Sequence, residues 1–179
     1  MPVSLTSPDV GNLYIGKGIV SFKKAGDVDF RDLGNVPEAE LTLEIEELEH
    51  FTSRAGTRSK DLVVVLEKGG NVRFVMEEWT PENLLIFFLG TTVDEMAAGG
   101  PSFDILASNS IEGEWKFVGT NDVGPNYTVH AHNVRITPTG SINLITEEWG
   151  GIEVTAEMLL SQTTGKFGTV QLTNLPSET

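Results

Sequence analysis

Between Glu38 and Glu46 the side chains alternate so regularly between oil and charge that the stretch fits a strand and little else. Side chains on a strand point to opposite faces with period two. Ala39, Leu41, Leu43 and Ile45 therefore share one face, and Glu38, Glu40, Thr42, Glu44 and Glu46 share the other. The wet face of an antiparallel strand ordinarily mixes Thr, Lys, Ser and Glu; four glutamates, with no basic residue between Glu38 and Glu49, exceed what solubility asks. The sign then reverses. Residues 51–60 form a long basic loop carrying Arg54, Arg58 and Lys60, and lead into an apolar run at 61–67. That run is apolar on both faces, as suits a strand covered on both sides. Acidic strand, basic loop and return strand read as one unit.

Charge narrows the partners. The chain of 179 residues has 26 acidic and 12 basic side chains, a formal charge of −14, which excludes a surface built to grip nucleic acid by neutralising phosphates. DNA meeting such a protein would slide over it. No cysteine is present, so disulfides, thiolate nucleophiles and thiolate metal sites are excluded. The N-terminus lacks a basic stretch followed by an apolar one, and the run at 84–89 is too short to span a bilayer, so synthesis in the cytoplasm without a membrane anchor is expected. The length suits a single domain over residues 1–179, with 1–11 and 173–179 as flexible arms.

Along the chain, residues 12–24 read as a strand bent at Gly16 and Gly18, 28–36 as irregular, and Lys68-Gly-Gly-Asn71 as a hairpin turn before a third strand at 72–79. Thr80-Pro81-Glu82-Asn83 opens a helix: Thr caps, Pro suits the first helical position and Glu faces the free backbone donors. The apolar run that follows, closed by Gly90, predicts a helix buried against a sheet. Further strands are predicted at 103–107, 114–118, 127–137, 142–149, 152–160 and 166–172. Mostly strands with one helix gives a mainly β fold, a β-sandwich or barrel with one flanking α-helix.

Chemistry is sparse. His130-Ala-His132 is the one metal-like spacing, because i and i+2 on a strand put both imidazoles on one face. The spacing from Gly124 resembles the opening of a cupin metal motif, but Ile136 and Thr137 stand where its glutamate would fall and no further histidine follows. With two ligands and no third in reach, no metal, cofactor or catalytic residue is assigned. The glutamates of the acidic strand lie ~7 Å apart along it, too far for neighbours to chelate one ion, and a uniform row does not make the two unlike environments of a catalytic pair. Gly-x-Ser-x-Gly is absent, and Gly16-Lys-Gly18 lacks the third glycine of a dinucleotide loop. The chain is not expected to be an enzyme; a cupin-like metalloenzyme is the alternative of another class.

Residues 12–90 resemble the tail tube (major tail) protein of long-tailed bacteriophages. The likeness is carried by Asn12-Leu-Tyr-Ile-Gly-Lys-Gly18, by Gly34-Asn-Val followed by the acidic strand and Glu49-His50, by Ser53-Arg-Ala-Gly-Thr-Arg58, and by Glu78-Trp-Thr-Pro-Glu-Asn-Leu-Leu-Ile-Phe-Phe-Leu-Gly90. The resemblance implies a structural virion protein that assembles with itself into six-fold rings stacked as a tube. Viral DNA would pass through the lumen without specific binding, and tape-measure, tail tip and tail terminator proteins would be further partners. It places the protein in the virion tail, with Glu38, Glu40, Glu44 and Glu46 lining the lumen and Arg54, Arg58 and Lys60 on a loop bridging successive rings. A ring protein of a contractile injection or secretion system shares these implications and is the alternative of the same shape.

Overall fold

The computed structural model describes residues 10–54, 56–137 and 140–173. Of the arms expected at 1–11 and 173–179, residues 1–9 and 174–179 lie outside the described residues, as does Ala55 of the basic loop. Among the described residues a short 3-10 turn at Val10–Asn12 precedes eight strands and one α-helix, in order β1 (Gly18–Lys24), β2 (Arg31–Asp32), β3 (Glu38–Thr52), β4 (Ser59–Met76), α1 (Pro81–Phe88), β5 (Ile111–Gly119), β6 (Asn126–Ile136), β7 (Ile152–Met158) and β8 (Gly168–Thr173).

All eight strands join one antiparallel sheet in the order β2-β1-β5-β6-β7-β4-β3, with β8 also paired to β6. The long β6 is shared along its length: Asn126 to Ala131 pair with β8, and Val134 to Ile136 pair with β7. The mainly β expectation with a single helix is what the chain adopts. Val20 and Phe22 of β1 share a buried core with Val72, Phe74 and Met76 of β4, although β5, β6 and β7 lie between them in the sheet. In a flat sheet those strands would be about 19 Å apart. The sheet therefore curls on itself, and a groove lined by Gly18 and Val20, by Glu38 to Leu41 of β3 and by Trp115 and Phe117 brings its two ends together.

Helix α1 begins as its sequence dictates. Thr80 Oγ1 accepts from the backbone N–H of Asn83 at 3.2 Å, and Pro81 takes the first helical position. The helix packs on β7 and buries Leu85 and Ile86. It ends at Leu89, whose left-handed φ of 53° is unfavourable for a residue with a Cβ and is held by burial of that side chain at 1% exposure.

Several expected elements change. Lys68 to Asn71 is strand, not turn: β4 runs straight through it, and Gly69 and Gly70 pair with Glu44 and Leu43 without positive φ. A Cβ on Gly70 would sit 2.5 Å from the Thr42 carbonyl, so the glycine permits close strand approach and does not reverse the chain. The strands expected at 61–67 and 72–79 are accordingly one strand, β4, and with β3 they make one long hairpin. The basic loop is shorter than expected, residues 53–58, because Phe51, Thr52, Ser59 and Lys60 pair within the strands. The first strand starts at Gly18; residues 13–15 are instead held by Asn121, which donates to the Leu13 carbonyl at 2.9 Å and accepts from Ile15 N–H at 3.2 Å. Residues 103–107 and 142–149 are not strands. Leu144, Ile145 and Trp149 stand exposed, so among the described residues nothing buries them. Thr173, expected in a polar tail, closes β8.

Candidate functional site

The hairpin of β3 and β4 outruns the body of the sheet. β4 pairs with β7 only from Asn71 to Met76, whereas β3 and β4 continue together to Thr52 and Ser59. Beyond Leu43 and Gly70 the two strands pair with nothing but each other among the described residues. Ten residues of β3 at strand rise make an arm about 33 Å long. A two-stranded ribbon in water is marginal by itself. Two bulges, at Glu46/Glu47 and His50/Phe51, interrupt its register.

The arm is apolar without being buried. Leu43, Ile45, Leu48 and Leu62 to Leu66 are all exposed, Leu43 to 72%. This corrects two expectations: Ala39, Leu41, Leu43 and Ile45 are all exposed, so the oily face of the acidic strand lies outside the buried core, and among the described residues the return strand is covered on neither side along 62–66. The face explains why. Period two puts Leu43 and Ile45 on the side that β4 and β7 bury through Val72, Phe74, Val154 and Ala156, so the arm extends the core surface past the core's edge. A contiguous exposed apolar surface of this kind has the character of a contact surface for another molecule.

The opposite face is acidic across several strands. Glu38, Glu40, Glu44 and Glu46 share it as expected, and the register adds Glu67 of β4 and Glu153 and Glu157 of β7. Glu46 lies directly across from Glu67, a like-charge pairing that costs stability. Glu44, Glu46, Glu67 and Glu157 border one shallow groove floored by Gly69 and Gly70. Arg73 is the main counter-charge: it donates to both oxygens of Glu153 at 2.9 and 3.0 Å and to Glu38 at 3.0 Å. These bonds raise the guanidinium pKa further and hold the Glu153 carboxyl below its ordinary range. Sequence reasoning missed Glu67, Glu153 and Glu157. Their signal was present in the alternation of β7, where Glu153 and Glu157 interleave with Ile152, Val154, Ala156 and Met158.

The three expected loop cations differ in their surroundings. Lys60 belongs to β4 and pairs with Glu49 across the hairpin. Arg58 lies over the Phe51 ring at 5.0 Å, and Arg54 stands exposed at the tip. Beside them His50 Nδ1 and Asp61 Oδ1 are 2.6 Å apart. Gly56, with φ 68°, turns the loop in a conformation that a Cβ disfavours.

A second cluster lies on β5 and β6. His130 and His132 share a face, with ring centroids 4.5 Å apart, and His130 Nε2 lies 2.8 Å from Glu114 Oε2. The other Glu114 oxygen pairs with Lys23 of β1. Burial lowers the His130 pKa, outweighing the opposing bond to Glu114. Burial alone would raise that of Glu114, but the bonds from Lys23 and His130 win and lower it.

Residues 13–100 match a family model described as "Protein of unknown function UCP028589". No curated protein matches the sequence. Among solved structures the chain is similar to one described as "Tail of empty GTA particle computed with helical refinement, C6 symmetry", with 12% identity over 87% of this chain and 95% of that one and a TM-score of 0.47.

Proposed function

We propose that the chain is a tail tube subunit, a structural protein whose copies close into six-fold rings that stack into a tube conducting DNA. The observation that carries this reading is the β3–β4 arm, with apolar residues exposed on a ribbon that has no cover among the described residues. Burying a single leucine or valine of that arm against a neighbour contributes about 1.5–3 kcal/mol, so a handful suffices to hold copies together. The free edge of β3 adds a directional term. Its unpaired backbone groups invite a strand from the next subunit, and repetition around a ring removes every edge at once. The residues quoted above from 12 to 90 independently resemble the tail tube family.

In this reading the acidic face, on the side of the sheet away from the core, lines the lumen. A wall of carboxylates repels phosphate, so DNA slides without sticking. The loop at 53–58 reaches the adjacent ring, and a tape-measure protein, a tail tip and a terminator meet the lumen and the two ends of the tube.

Negative-stain imaging and sedimentation velocity of concentrated protein test the reading. Rings or stacked tubes are expected, with the six-fold symmetry visible in end views. A chain that stays monomeric at every concentration, with or without tail tips as seeds, would overturn it.

A further inference from the structure

We propose that Glu114, His130 and His132 form a binding site for a divalent transition metal of the zinc class. One imidazole nitrogen from each histidine and one carboxylate oxygen of Glu114 all lie within 4.8 Å of one another. Two imidazoles and a carboxylate are a common protein ligand set for zinc, whose bonds of about 2.0–2.2 Å leave a fourth position for water.

The backbone builds the cluster by a local irregularity. Trp115 pairs with Ala131 and Gly113 with Val134, so Glu114 alone stands opposite both His132 and Asn133. A bulge re-aims side chains, and here two residues of β6 share the space facing one of β5. That is how Glu114 becomes the third ligand absent from the neighbourhood of His130-Ala-His132 in sequence. The site is also partly shielded: the His130 and Glu114 side chains are 24% and 28% exposed, and the Phe30 ring stands edge-on to His130 at 5.5 Å.

Charge decides which cation fits. Lys23 binds the other Glu114 oxygen, so an ion can take Oε2 without displacing it. Lys116 is drawn aside over Phe30, 4.0 Å from the ring centroid. With one carboxylate and two lysines nearby, calcium and magnesium lack the oxygen ligands they require, whereas imidazole selects zinc, copper, nickel or cobalt. A bound ion would clamp β5 to β6 near Ala131, where β6 exchanges β8 for β7 as its neighbour.

The test uses untagged full-length protein stripped with EDTA, then titrated with zinc chloride by calorimetry in excess magnesium, with Tm recorded in parallel. One ion per chain and a raised Tm are expected. Cobalt(II) in place of zinc should develop the visible absorption bands of a nitrogen- and oxygen-ligated ion. His132→Ala and Glu114→Gln should each weaken zinc binding by at least about tenfold, the scale on which even outer-shell losses are felt. Circular dichroism checks their fold; Glu114→Gln keeps the side chain's size and decides the matter if His132→Ala does not fold. Absence of zinc binding by the stripped protein, or binding that a folded Glu114→Gln variant leaves unchanged, would overturn the site.

Discussion

Arg31 donates a hydrogen bond of 2.8 Å to the side-chain oxygen of Asn83, and Asn83 is only 1% exposed. The same amide donates to the carbonyls of Leu33 at 3.0 Å and Glu78 at 2.9 Å. One buried side chain thus joins β2, the approach to α1 and the helix itself. Removing it leaves a buried carbonyl, a partly buried one and a half-buried guanidinium, already depressed in pKa by burial, without their partner. Asn83→Ala should therefore destabilise the subunit by about 2–4 kcal/mol, above the loss of an ordinary surface residue. The check is urea unfolding of the unassembled chain, with Thr80→Ser, which keeps the cap, as the near-neutral comparison.

Gly70 faces Leu43 where the hairpin leaves the body of the sheet. A Cβ there would meet the Thr42 carbonyl at 2.5 Å and touch Leu43 and Met158. Gly70→Val is expected to force the strands apart at the root of the arm while the core beyond Asn71 stays paired. Hydrogen exchange should show the amides of residues 43–52 losing protection, with those of β6 and β7 unchanged; protection retained in the arm would show that the strands can yield.

The helix was legible in the sequence because its signals are local: Thr80, Pro81 and Glu82 act on neighbouring backbone groups whatever the tertiary context. The two-faced β3 was legible because period two needs no partner. What misled was apolarity itself. Residues 62–66 and 142–149 read as strands because hydrophobic composition records burial from any source, including other copies; among the described residues 62–66, Leu144, Ile145 and Trp149 stay exposed, and only Ile142 packs against the core. Gly69-Gly70 misled for a similar reason, since a glycine admitting a close neighbouring strand looks in sequence like one that turns. Glu114 was not legible as a companion of His130 and His132, because only the strand pairing and its bulge bring it there.

The Arg73 bridge predicts a pH response at the root of β3. Glu153 has its carboxyl pKa held below the ordinary value of 4.5 by Arg73, so it binds protons less readily folded than unfolded. A depressed carboxylate stabilises the fold fully above its unfolded pKa and loses that contribution as pH falls through the lower folded value. Stability measured between pH 6 and 3 should therefore decline in wild type more steeply than in Glu153→Gln, which cannot titrate there. The effect is modest because the pair is half-exposed. Identical profiles for the two proteins would remove the bridge from the account.

Replacing Glu38, Glu40, Glu44 and Glu46 with lysine tests the lumen. All four side chains are exposed, and among the described residues the replacement gives up one ion pair, Glu38 with Arg73, and one hydrogen bond, Asn71 to Glu44, so the subunit should still fold. Added cations attract phosphate and release counterions, so assembled tubes should acquire salt-dependent affinity for DNA and particles should eject slowly or not at all. Normal ejection with all four lysines in place would mean that this face does not meet DNA.

The loop at 53–58 carries the last prediction. Six residues connect two strands that could be joined by two, and the connection is basic on a chain of −14. A longer loop costs little closure entropy, so stability gives no reason to shorten it and none to keep it. Arg54 is exposed at the tip, while Arg58 rests on Phe51, leaving a compact positive knob at the end of a ribbon about 33 Å long. At physiological salt its attraction fades within about 8 Å, so it acts only on a surface it touches, such as carboxylates of the next ring. One exposed pair contributes little, but contacts repeated around a ring engage together. Replacing residues 53–58 with Asn-Gly keeps the hairpin and removes the knob. The expected product is a folded subunit that still closes into rings, because the apolar arm and the β3 edge remain, yet sediments as single rings. Tubes of normal length from the shortened chain would show that the loop only connects two strands and that stacking is driven by other surfaces, Leu144, Ile145 and Trp149 being the exposed apolar group to mutate next.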